Sequence, residues 1–145
     1  WLQRVVETAK RSGVHVVQAR APDGPAALRA LLRISSHVDA IWLPADPDVV
    51  SVQVFRYALQ LQQEKRLALI AATRQQVHSG ALLAIDFPPR ALGRAAADVI
   101  NRWIEHPLPE AVFPTLSTTL TVNRRAAQQL SADLPSLVAI GARLE

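Results

Sequence analysis

The stretch that decides the fold is residues 38–71, VDAIWLPADPDVVSVQVFRYALQLQQEKRLALIA. It opens on an apolar run ending at Leu43, and Pro44, Asp46, Pro47 and Asp48 then break that run. From Val49 to Lys65 the spacing turns helical, with Val50, Val54, Tyr57, Ala58 and Leu61 on one face. Residues 67–71 return to a short apolar strand. Strand, amphipathic helix and strand in this order predict a βαβ unit, and nearly continuous apolar strands fit a sheet covered on both faces.

The pattern repeats outward. Residues 1–12 place Leu2, Val5, Val6 and Ala9 on one helical face, and Gly13 is suited to end that helix. Residues 14–19, VHVVQA, read as a strand. Asp23 is an expected N-cap with Pro25 in the first turn, and Leu28, Leu31, Leu32 and Ser35 share a face of the helix that follows. Beyond residue 71 a polar stretch at 73–79 leads to an expected strand at 80–87. Pro88 and Pro89 open a helix to about residue 105, with Leu92, Ala95, Val99 and Trp103 inward. Pro107 and Pro109 mark a linker, residues 112–113 and 116–122 are extended, Asn123 caps a short helix, and residues 134–144 form a last one. The fold class is α/β: a parallel sheet flanked by helices.

The composition narrows the function. With 145 residues the chain has room for one ordinary domain, and half of those residues are hydrophobic. Sixteen basic against twelve acidic residues give a net charge of +4, but the bases are dispersed, the tightest groups being Lys10-Arg11, Lys65-Arg66 and Arg124-Arg125. No basic stripe with interleaved aromatics argues for nucleic acid. Cysteine is absent, which excludes disulfides and thiolate chemistry. The four histidines lack metal-ligand spacing, Gly24, Gly80 and Gly93 form no phosphate-binding loop, and His78-Ser79 has no nucleophile elbow around it. We therefore expect no enzyme, cofactor or metal. The sequence holds no methionine and opens within a helical pattern, so a fragment is expected.

In an open α/β sheet ligands bind beyond the carboxyl ends of the strands. Asp46 and Asp48 follow one strand, and the loop from Ala71 to Val77 follows the next. Asp48 immediately precedes the helical pattern, so it is expected to be the N-cap. Asp46 is one residue too early for that role and is held extended by Pro47, which leaves it as a candidate acceptor for a ligand amine. Thr73 offers a hydroxyl among small residues. Asp86 is read first as a cap for the helix after it, with a place near a hinge as the alternative.

These segments together resemble the ABC-type substrate-binding proteins of the tryptophan/tyrosine-uptake kind. The resemblance rests on Val38-Asp39-Ala40 with Asp46, on the run from Val77 to Ala84 (VHSGALLA), on Leu92-Gly93-Arg94-Ala95-Ala96, and on the run from Leu120 to Ala127 (LTVNRRAA). One departure is Asp86-Phe87-Pro88-Pro89, where relatives commonly carry an aromatic-acidic turn. The resemblance implies a type I periplasmic-binding-protein fold, of which this chain is one lobe, incomplete. It divides the chain into a second-lobe core at 1–79, a return segment to the first lobe at 80–106, and a crossover with a final second-lobe segment at 107–145. A further strand would lie between those at residues 14 and 38. Carried over residue by residue, the ligand-facing positions are Asp46, Ala72, Thr73 and Gln76.

The function implied is the solute-binding component of an ABC importer, which closes on a small molecule and delivers it to a membrane permease. Its expected location is the periplasm or, by a lipid anchor, the cell envelope. The alternative is a ligand-sensing domain of a signalling protein with the same fold. A DNA-binding regulator would need a helix-turn-helix upstream. A phospho-acceptor receiver would need a lysine where Ala71-Ala72 stand.

Overall fold

The computed structural model describes residues 2–105 and 117–145. The expected linker at Pro107 and Pro109 and the extended pair at 112–113 lie outside the described residues. The chain divides into two compact units, Trp1–Ile41 with Asp46–Leu67, and Trp42–Ala45 with Ala68–Glu145.

The first unit is built on helices α1 (Leu2–Arg11), α2 (Gly24–Ile34) and α3 (Val52–Lys65). Asp23 starts α2 as expected, its carboxylate accepting the Ala26 N–H at 2.7 Å, with Pro25 in the first turn. Helices α2 and α3 pack together through small and branched residues, burying Ala27, Ala30 and Leu31 on one and Val54, Ala58 and Leu61 on the other. Gly24 sits close to the start of α3, where an added Cβ would lie 3.5 Å from Ser51 Oγ. At the far end Lys65 Nζ donates to the buried Ser35 Oγ at 2.8 Å, and Ser35 Oγ donates to the Leu32 carbonyl at 3.2 Å.

Three expectations are corrected in this unit. Leu32 does not share the buried face with Leu31 but is exposed, because Ala27 and Ala30 complete the face instead. Residues 14–19 form no strand. Their backbone has no ladder partner among the described residues, and Val14 and Val17 stay exposed, so apolar composition alone gives no sheet. The third helix begins at Val52 rather than Val49, and its N-cap is Ser51, whose Oγ accepts the Val54 N–H at 3.3 Å. Asp48 is therefore not the helix cap.

The second unit holds the sheet. Its strands are β1 (Ala40–Trp42), which enters this unit at Trp42, β2 (Ala68–Ala71), β3 (Leu83–Asp86), β4 (Thr119–Val122) and β5 (Arg143–Leu144), in the spatial order β1-β2-β3-β4-β5. Leu43 donates its N–H to the Ile70 carbonyl at 2.9 Å. β2 and β3 run parallel, β4 is antiparallel to β3, and β5 is parallel to β4. Four helices join them: α4 (Arg74–His78), α5 (Pro89–Glu105), α6 (Arg124–Leu130) and α7 (Leu134–Ala139).

Register separates the two faces. Ala71, Ala84 and Thr121 stand opposite one another across three strands and are all buried. On the opposite face Leu83, Leu120, Val122 and Leu144 pack with Ala126 and Ala127 of α6 and with Leu134 and Leu137 of α7. Asp86 stands two residues from Ala84 on the same face and meets the start of α4, which places that start on the side of the alanine–threonine row.

The polar stretch at 73–79 is thus a helix rather than a loop. The last expected helix is shorter than its pattern and gives way to β5, because Gly141 adopts a φ of 89° and turns the chain back to the sheet. The inward face expected of α5 is not buried: none of its described side chains is buried, and Leu92, Ile100, Trp103 and Ile104 are exposed. No helix among the described residues is long and apolar enough to cross a membrane.

Candidate functional site

Two turns carry the residues singled out from the sequence. The turn at Asp46 lies in the first unit. One carboxylate oxygen, Oδ1, accepts the N–H groups of Asp48 at 3.1 Å and Val49 at 3.3 Å, while the Val50 N–H donates to the Asp46 carbonyl at 2.7 Å. The side chain closes a tight turn at Pro47, the local role in which short carboxylates excel. Asp46 is exposed, and its second oxygen has no hydrogen bond among the described residues.

The second turn leaves the carboxyl end of β2. Thr73 is the N-cap of α4, its Oγ accepting the Gln76 N–H at 3.3 Å. Gln76 returns the bond: its Oε1 accepts the N–H of Thr73 at 3.1 Å and of Ala72 at 3.0 Å, and the Thr73 hydroxyl at 3.3 Å. Ala72, Thr73 and Gln76 are thus brought together by one amide oxygen. The bonds fix the orientation of the Gln76 side chain and leave its NH₂ group as a donor with no partner among the described residues. The threonine and glutamine three positions apart are a capping box, a signal legible in the sequence itself.

Sequence reasoning missed two further residues at this turn. Asp86 does not cap the helix after it. Its Oδ2 accepts the Arg74 N–H at 2.9 Å, because the parallel strands β2 and β3 end on the same side. Glu145 pairs through Oε1 with the Arg74 guanidinium, and its Oε2 lies 3.7 Å from His78 Nε2. No local pattern could reveal a partner 71 positions away. Asn123 does cap α6 as read, its Oδ1 accepting the Ala126 N–H at 2.9 Å, and its side-chain amide also donates to the Val77 carbonyl at 3.0 Å. Among the described residues no three His, Asp or Glu side chains are grouped to hold a metal ion.

A mostly parallel sheet with flanking helices and polar turns after its strands is an α/β fold. The sequence profile of the family described as ABC transporter substrate binding protein matches residues 2–143, and the chain belongs to that family. Three solved structures share the fold. An ABC domain from Streptococcus pneumonia in complex with L-Trp is 22% identical with a TM-score of 0.73, and the match covers 99% of this chain and 51% of that one. A conserved domain protein from Vibrio cholerae O1 biovar El Tor gives 22% identity and a TM-score of 0.74 over 99% and 49%. The ligand-free, open structure of a substrate binding protein with adhesive properties from Clostridium difficile gives 19% and 0.63 over 99% and 48%. The chain spans about half the length of these structures. No curated protein is similar enough to match.

Proposed function

We propose that this chain forms one lobe of the solute-binding component of an ABC importer, located in the periplasm or lipid-anchored at the cell envelope, which hands a small molecule to a membrane permease. The observation that carries the reading is the family match along residues 2–143. The ligand-facing positions are Asp46, Ala72, Thr73 and Gln76. The free carboxylate oxygen of Asp46 accepts from a cationic or amine group, and the fixed NH₂ of Gln76 donates to an oxygen. Both groups are already oriented by bonds to backbone, so binding orders little that is not ordered beforehand.

Residues 80–106 form the return segment. In it β3 remains in the sheet while α5 offers an apolar stripe to the other lobe, which fits the exposure of Leu92, Ile100, Trp103 and Ile104. A ligand that touches both lobes favours their closed arrangement by its extra contacts there, and that closure is what a permease reads.

L-tryptophan, bound in one of the similar structures, is the first probe within a panel of L-amino acids. Calorimetric titration of the complete two-lobe protein should find saturable binding of a panel member, and Asp46→Ala should weaken it by about tenfold, or ~1.4 kcal/mol. Unchanged affinity in that variant removes Asp46 from the site. A panel without any binder removes amino acids as the ligand class.

A further inference from the structure

Helix α4 has five residues, too few to hold its shape unaided, so whatever anchors it sets the geometry of the turn at its start. Its anchors come from three distant segments. Asp86 on β3 takes the Arg74 N–H, Asn123 after β4 donates to the Val77 carbonyl, and Glu145 after β5 takes the Arg74 guanidinium. The first two hold backbone. Among the described residues Glu145 is the anchor that holds the helix by its side chains, the Arg74 guanidinium first and His78 Nε2 at 3.7 Å as a second, longer contact.

An exposed ion pair between two mobile side chains contributes little, because the order it imposes offsets the attraction. Glu145 differs on one count. Its own backbone is held on both sides, its N–H donating to the Val122 carbonyl at 2.9 Å and its carbonyl accepting the Arg124 N–H at 3.0 Å. The carboxylate therefore projects from fixed sheet backbone toward Arg74. Arg74 lies between Thr73 and Gln76, whose mutual bonds form the capping box.

We propose that Glu145 is a positioning residue for the turn at Ala72–Gln76: through Arg74 it steadies the capping box and with it the direction in which Gln76 presents its NH₂ group. The inference rests on the reading above that this turn meets the ligand, but its test needs no ligand. Amide hydrogen exchange is followed by NMR on the full chain, its Glu145→Gln variant, and a charge-swapped variant carrying Arg74→Glu with Glu145→Arg. Glu145→Gln should speed exchange at Thr73 and Gln76 by about two- to fivefold, the range an ion pair of this exposure allows. Exchange at Ala84 and Val122 in the sheet should stay as it was. The swapped variant should recover protection at the turn.

Unchanged exchange at Thr73 and Gln76 overturns the proposal. So does loss of protection throughout the sheet, which makes Glu145 a general stabiliser, and so does a swap that restores nothing. Failure of L-tryptophan and the rest of the amino-acid panel to bind strikes the ligand reading alone and leaves the exchange result intact.

Discussion

Helices α3 and α5 are of similar build and opposite fate. The first has 14 residues and the second 17, and both sequences alternate apolar and polar groups at helical spacing. α3 buries Val54, Ala58 and Leu61 against α2, whereas α5 leaves Trp103 at 63% and Ile104 at 76% exposure. The difference teaches that periodicity identifies which face of a helix is apolar, not whether this chain supplies something to cover it. In α3 the partner is close in sequence. In α5 nothing among the described residues covers the stripe.

Substitution breaks the comparison most sharply at a large apolar residue of each stripe. Leu61→Ala should cost about 2–4 kcal/mol in urea denaturation, since it removes a packed side chain and leaves a cavity. Trp103→Ser in the same assay should change stability by less than about 0.5 kcal/mol, the range of ordinary surface changes. A large loss from Trp103→Ser would mean that α5 is covered within this chain after all.

The start of α3 gives the next largest effect. Ser51→Ala should lower stability by about 1 kcal/mol through loss of the N-cap, while Asp48→Ala should leave the same denaturation midpoint nearly unmoved. The reverse order would restore Asp48 as the cap and lengthen α3 toward Val49. A gain is expected in the buried row of the sheet. Thr121 is 1% exposed and its hydroxyl has no hydrogen-bond partner among the described residues, so Thr121→Val should add about 1 kcal/mol to the unfolding free energy. Destabilisation instead would reveal a partner for that hydroxyl.

The smallest effect lies at the surface, at the start of α7. The Ser136 hydroxyl and N–H both donate to the Asp133 carboxylate and hold its pKa below the ordinary aspartate value. A carboxylate depressed by folding contributes stability above its unfolded pKa and loses it as pH falls through the folded one. The carboxyl ¹³C resonance of Asp133 should accordingly titrate at a lower pH than in a Ser136→Ala variant.

How much of this was legible depended on range. Asp23 with Pro25 and Asn123 before α6 were readable because a cap involves residues three apart. The capping box of Thr73 and Gln76 was equally local, yet a polar stretch of seven residues reads as a loop when its apolar member, Val77, is counted alone. Asp46, Asp48 and Ser51 lie within six positions and all have capping side chains, yet the structure gives them different work: Asp46 takes the N–H groups of Asp48 and Val49, and Ser51 takes that of Val54. Residues 14–19 carry the composition of a strand, but a strand exists only as one side of a ladder.

The sequence by itself determined the strand, helix and strand order across residues 40–71, the caps at Asp23 and Asn123, the absence of cysteine chemistry and the family resemblance that the profile match bears out. Those follow from spacing and composition, which neighbours along the chain express without help. Only the tertiary structure decided that Asp86 and Glu145 meet Arg74, that the Thr121 hydroxyl is buried with no partner among the described residues, and that none of those residues covers α5. Each of these depends on which distant segments lie side by side, and side chains far apart in sequence interact only after the sheet has brought their strands together.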